Sequence, residues 1–230
     1  MKTQHLKQYG DTMSRKSNRA PSASTRALKY PEVYARLILE HIDPVMYGGL
    51  IVKDKPDLID YKASLGIEVT EANPQANKEA DALYSEMQNS GFDATAHARS
   101  IERIEQLGGQ VISGILFGPG GNDSFDLIMD AFKKKAKKLN KGEYEPLKHN
   151  HLFIFSWILA DRIMLEGALC RFAELNALPI KFERVIVNVP GRNYDFDLVN
   201  QTVEEHPFGS REQFDIAEKA YSICKRHDVG

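Results

Sequence analysis

Two acids in the stretch PDLIDYKASLGIEVTEA, residues 56–72, are the side chains whose type and spacing point most directly to chemistry. Asp57 follows Pro56 and precedes Leu58, and Glu68 stands between Ile67 and Val69 in a β-prone run. A carboxylate inside an apolar strand costs several kcal/mol unless it is paired or bound to a cation. Side chains alternate along a strand, so Glu68 faces away from Ile67 and Val69 and into a cleft if one face packs on helices. The eleven positions from 57 to 68 allow a hairpin return that brings both acids to one point. Two carboxylates at a shared point repel unless a cation sits between them. Oxygen ligands with retained waters suit Mg²⁺ or Mn²⁺. Such an ion lowers the pKa of a bound water and stabilises charge on a phosphoryl oxygen. The chemistry implied is hydrolysis of a phosphodiester.

The elements that must position these acids are legible in outline. YPEVYARLILEHI reads as a helix over 31–42, with Pro31 tolerated in the first turn and Val33, Leu37 and His41 or Ile42 at helical spacing. GGLIVKD and PDLID read as a strand interrupted by Lys-Asp-Lys-Pro, and LGIEVTEA as the next strand. PQANKEADALYSEMQ has a helical stripe (Ala76, Ala80, Leu83, Tyr84, Met87), with Gly91 as its stop, and RSIERIEQLGG continues as another helix. QVISGILF reads as one buried strand running into a loop, GPGGNDS. SFDLIMDAFKKKAKKLN is a strong helix with Ser124 as expected N-cap and Lys141-Gly142 after its end. HLFIFSWIL is the most apolar strand and LEGALCRFAELNAL a helix. ERVIVNV and YDFDLV are strands around a Pro190-Gly191-Arg192-Asn193 turn, and REQFDIAEKAYSICKRHD closes the chain as an amphipathic helix. The expected fold class is α/β, a central mixed sheet flanked by helices.

The pair "PD" followed by "GIEVT" resembles the PD-(D/E)xK nuclease superfamily, whose core is a helix, a three-stranded meander, a helix and a further strand. The order of elements over residues 31–158 is similar. The resemblance implies a restriction-endonuclease-like core in which Asp57 and Glu68 bind the metal. It also implies a lysine two residues after the glutamate, where this chain has Thr70. Some members supply that lysine from a neighbouring helix, which directs attention to AFKKKAKKLN. There Ile128, Phe132, Lys135, Ala136 and Leu139 share helical spacing, so Lys135 lies on the apolar stripe, with Lys138 adjacent as an alternate. An inward lysine beside two carboxylates pairs with them and keeps its charge. It can orient the attacking water or stabilise the transition state. The alternative is a basic helix whose stems reach solvent or a phosphate backbone, and Lys133, Lys134 and Lys137 fit that description.

Other residues carry weaker signals. Glu71 is expected to point with Val69, off the site face, and Asp60 is the alternative to Asp57 but faces oppositely along its strand. Glu32 or Glu40 would add an acid from the first helix, although a surface position is the favoured reading. Gln75 and Lys78, at the start of the next helix, are candidate substrate contacts. FGPGGND lacks the Lys-Ser/Thr of a nucleotide-binding loop. His149 and His151 in KHNHLF read as surface residues leading into a strand. No Ser-His-Asp set and no zinc spacing can be assigned.

The bulk of the chain bounds these readings. Its 230 residues suit one domain over 30–230 plus an arm over 1–29. The arm sets Lys2, Lys7, Arg15, Lys16, Arg19, Arg26 and Lys29 against Asp11 alone, a pattern for phosphate-backbone contact. Net charge of −2 gives no global sign of nucleic-acid binding. No long apolar run predicts a membrane span, the first residues do not read as a secretory signal, and Cys170 and Cys224 suggest reduced thiols. A cytoplasmic protein acting on nucleic acid, DNA in the first instance, is therefore expected, and cutting both strands of a duplex would favour a homodimer. Two readings from other classes stand beside it: a catalytically silent nuclease fold that binds nucleic acid or a partner, and an unrelated α/β protein whose acids are strand-end charges.

Overall fold

The computed structural model of the chain describes residues 28–89, 93–112, 115–118 and 124–228. The basic arm therefore lies outside the described residues except for Leu28 and Lys29, as do Gly91 and most of the GPGGNDS loop.

The first helix, α1 (Tyr30–Ile42), is buried on two sides. Ala35, Ile38 and Leu39 pack on the sheet, while Val33 and Leu37 meet Ala220 of the last helix, α7 (Ser210–Asp228). That double burial accounts for the nearly continuous apolar run ARLIL. A short helix α2 (Pro44–Tyr47) follows, its first backbone amides capped by Asp43. Three strands form an antiparallel meander: β1 (Ile51–Val52), β2 (Leu58–Asp60) and β3 (Leu65–Glu71). Helices α3 (Gln75–Asn89) and α4 (Ala94–Gln106) come next.

QVISGILF departs from the single strand expected of it. It forms two strands, β4 (Gln110–Ile112) and β5 (Ile115–Phe117), paired antiparallel as a sheet of their own. The Ser-Gly at its centre is a turn sequence, and the register Gln110↔Phe117 folds the run back on itself.

The main sheet has seven strands in the order β1-β2-β3-β6-β7-β8-β9, completed by β6 (His149–Phe155), β7 (Arg184–Val189), β8 (Arg192–Asp197) and β9 (Thr202–Pro207). β3, β6 and β7 are parallel to one another, and the remaining pairs are antiparallel. The expected mixed sheet flanked by helices is what the chain forms. β7 and β8 turn at Pro190-Gly191, with Gly191 at φ +79°, so Arg192 and Asn193 belong to the strand rather than to the turn. β9 has no apolar alternation to announce it, being a polar edge strand that ends in Pro207.

Alternation along β6 and β7 divides the core. Phe153 and Ile186 face α1, whereas Leu152, Ile154, Val185 and Val187 face α5 (Asp126–Leu139) and α6 (Arg162–Leu175). Phe132 is fully buried on α5 and meets Phe172 of α6 at 5.0 Å between ring centroids. Phe125 takes the cap position of α5, and Ser124 Oγ accepts from the Asp126 amide. Among the described residues no helix is long and apolar enough to cross a membrane.

Candidate active site

The two acids meet because of the β2–β3 register. Leu58 pairs with Ile67, so one step back along the antiparallel ladder sets Asp57 beside Glu68. Asp57 Oδ2 accepts from the backbone amide of Val69 at 2.8 Å, which fixes the carboxylate at the strand edge. Glu68 pairs in register with Leu152 of β6, and its side chain lies on the α5 side of the sheet.

Helix α5 delivers the lysine. Ile128, Phe132, Ala136 and Leu139 are buried, and Lys135 stands at the edge of that stripe. Its ammonium lies 2.6 Å from Glu68 Oε2 and 4.0 Å from Asp57 Oδ2, and donates to the Val69 carbonyl at 3.2 Å. One cation thus bridges both acids. Lys138 does not join them: it is exposed, about 60° further round the helix from the apolar stripe. Lys133, Lys134 and Lys137 are exposed as expected.

Two residues complete the cluster. Tyr144, between α5 and β6, donates its hydroxyl to Glu68 Oε2 at 2.9 Å. Nothing in the sequence singled it out, because a loop residue has no periodicity to reveal its direction. Glu32 of α1 is buried, contrary to the surface position favoured for it. It lines the same cavity as Asp57, Thr70 and Lys135, of about 250 Å³, and pairs with Lys29 at 3.2 Å. The first turn of α1 packs against the sheet there, which buries an acid that helical spacing alone leaves ambiguous. Glu40 is half-buried and is not among the residues lining this cavity.

Burial raises the pKa of Glu68, and the Asp57 charge raises it further; Lys135 and the Tyr144 hydroxyl act in the opposite direction. The Tyr144 phenol is also pushed up, first by burial and then by the Glu68 charge, so it remains a donor at neutral pH. The cluster is a partly desolvated carboxylate pair held by one ammonium, one phenol and one backbone amide.

The other candidates have different occupations. Asp60 accepts from the amides of Lys62 and Ala63 and shapes the β2–β3 turn. Glu71 lines the cavity after all and lies 4.0 Å from Lys78 of α3. Gln75 is exposed at the start of α3. His149 is exposed and pairs with Glu183 at 2.8 Å. His151 is not a surface residue. It is buried against Tyr47, whose hydroxyl is 3.1 Å from Nδ1, and burial pushes its pKa down to about 3.

Among the described residues no group of three or more His, Cys, Asp or Glu side chains is arranged to hold a metal ion. Mg²⁺ does not require one, since it keeps several waters and takes one or two carboxylates plus substrate phosphates. Asp57 Oδ1 and Glu68 Oε1 accept no hydrogen bond among the described residues. The donor set suits a hard divalent ion shared with a phosphate. Asp57 and Glu68 do not line a larger cavity of about 760 Å³ bordered by His149, His151 and Glu183. Converging charge, rather than volume, marks the candidate site. Compared with family models, curated proteins and solved structures, the chain gives no match.

Proposed function

We propose that the chain is a metal-dependent nuclease-like protein that hydrolyses phosphodiester bonds, in DNA in the first instance. The observation that carries this reading is the Lys135 ammonium bridging Glu68 and Asp57 at 2.6 and 4.0 Å. The order α1, meander β1–β3, α5 and parallel β6 supports a restriction-endonuclease-like core. In this reading Lys135 stands in for the lysine missing at Thr70.

Asp57 and Glu68 would hold Mg²⁺ or Mn²⁺ through Oδ1 and Oε1. When bound, the ion supplies charge stabilisation at the phosphoryl oxygen and lowers the pKa of a water. Tyr144 fixes the rotamer of Glu68, and the Val69 amide fixes Asp57. Lys135 holds positive charge beside the scissile phosphate and orients the attacking water. That water gives up a proton to solvent as it bonds to phosphorus, the bond from phosphorus to the leaving oxygen breaks, and the leaving oxygen takes up a proton from solvent.

A second reading, a binding module without turnover, is favoured by one detail. Lys135 closes directly on Glu68 Oε2, which Tyr144 also contacts, so that oxygen is already saturated. Cleavage of supercoiled plasmid and of single-stranded DNA, with Mg²⁺, Mn²⁺ or EDTA, separates the two. Hydrolysis requires metal-dependent cutting that disappears in Glu68→Ala and Asp57→Asn. A binding module gives salt-sensitive DNA binding and no cutting in any of these conditions.

A further inference from the structure

Beside the charged cavity lies a second one of a different character. It measures about 540 Å³ and shares Pro31, Glu71 and Phe155 with the first. Its walls include the carboxyl ends of the three parallel strands: Glu71 at the end of β3, Phe155 at the end of β6 with Ser156 and Trp157 beyond it, and Asn188 and Pro190 around the end of β7. Ligands of open α/β sheets bind in crevices at this end of the strands, and the volume is in the range of small-molecule sites, about 300–1,000 Å³.

Two features specify the occupant. The first is a column of nearly parallel rings. Tyr30 stacks on Tyr34 with centroids 5.6 Å apart and planes 11° apart, and Tyr34 stacks on Phe155 at 5.9 Å and 9°. All three line the cavity, together with Trp157. Tyr30 is 39% exposed and Trp157 41%, so flat apolar faces at this cavity meet water. The second feature is charge. Among the described residues no lysine or arginine lines the cavity, while Glu71 and Asp81 do. A phosphate is repelled here; next door, where Glu32, Asp57 and Glu71 stand beside Lys135 and Lys29, it would be held with the divalent ion proposed above. A neutral ring with amino donors is accepted, because carboxylates and the amides of Asn73 and Gln213 can meet its edge. Asn73 Oδ1 is buried without a hydrogen-bond partner among the described residues, so turning that amide toward a donor in the cavity relieves a desolvation cost.

We infer that this cavity receives an unpaired nucleobase, stacked against the exposed aromatic rings, while the adjoining phosphodiester lies at the Asp57–Glu68–Lys135 cluster. The substrate class is therefore single-stranded or locally unpaired nucleic acid. A base within a duplex has both faces covered by its neighbours and cannot stack on a protein ring unless it leaves the helix. The inference rests on the phosphodiesterase reading only for placing the phosphate; the base site stands on the cavity itself.

Trp157 is the sole tryptophan of the chain and reports directly. Its fluorescence is followed in EDTA while an oligodeoxycytidylate of about ten nucleotides, whose bases carry an amino donor and whose length is comparable to one stacking platform's site size, or a duplex of equal length is added. Anisotropy of the labelled oligonucleotides gives affinity in parallel. The expected result is saturable quenching by the single strand and weaker binding of the duplex. Trp157→Leu and, separately, Tyr30→Ala should each weaken single-strand binding about 5- to 100-fold, as expected for the loss of one stacked base. Equal affinity for both forms, without quenching and with no effect of either variant, overturns the inference. That result alongside metal-dependent plasmid cutting removes the base site and leaves hydrolysis standing. Quenching and variant effects in a protein that cuts nothing remove hydrolysis and support the base site.

Discussion

Replacing Lys135 by methionine keeps most of the stem and removes only the charge. In the native fold the Glu68 side chain is 6% exposed and that of Lys135 15%, at 2.6 Å separation, so water entering from the cavity that Lys135 lines replaces the lost ammonium only in part. Removing one partner of a buried ion pair typically costs about 3–5 kcal/mol. Two features place this case at the lower end, near 3 kcal/mol: Lys135 is not fully buried, and the Tyr144 hydroxyl still donates to Glu68. For a chain of this size that corresponds to about 6–12 °C in Tm. The loss carries a pH signature. Glu68 already has a raised pKa in the folded state, and removing the ammonium raises it further. Between the ordinary carboxylate value of about 4.3 and that raised value the folded state binds more protons than the unfolded one, so stability falls as pH rises. Lys135→Met should therefore lie close to the native protein near pH 4 and fall progressively behind it toward pH 7. Adding Glu68→Gln to Lys135→Met should recover most of the loss. Urea denaturation of the three proteins across this range is the assay. An equal loss at both ends of the range, with no recovery in the double variant, would refute a charged Glu68 held by Lys135.

Further outcomes follow from the same geometry. Tyr144→Phe removes the donor at 2.9 Å from Glu68 Oε2 and should cost about 1–2 kcal/mol in urea denaturation near neutral pH, less near pH 4 where Glu68 is protonated. His151 is held neutral, with its pKa down at about 3. The unfolded chain takes up a proton there through the ordinary histidine range, so this contribution to stability is present above about 6.5 and is lost as pH falls toward 3. NMR should show no titration of His151 between about pH 8 and 5, whereas a midpoint near 6.5 would contradict its burial against Tyr47.

The sequence discloses the parts of the site that obey a period. Lys135 is placed by the stripe of Ile128, Phe132, Ala136 and Leu139, and Asp57 and Glu68 by strand alternation and the length of the hairpin. Lys138 shows how coarse that reading is. Three residues from Lys135 is adjacency on a helix, yet the rotation carries Lys138 out to solvent. For Glu32, helical spacing says which face the residue occupies, not what covers it; α1 is covered on two sides. Tyr144 and β9 lack any periodic signal, one being in a loop and the other a polar edge strand. The β4–β5 pair lies within one apolar run, in which a two-residue Ser-Gly break is too short to interrupt the apolar pattern. His149 and His151 share one face of β6 by alternation, but Tyr47 closes over His151 alone, and no pattern in the sequence announces that contact.

Single-turnover cleavage of single-stranded DNA in Mg²⁺, comparing the native chain with Lys135→Met and Lys138→Met, is the most direct measurement of whether helix α5 supplies the catalytic lysine. Loss of about 100-fold or more in rate for Lys135→Met, with Lys138→Met cutting at close to the native rate, is the expected result. Equal rates for the native chain and Lys135→Met, or cutting that persists in EDTA, would contradict it.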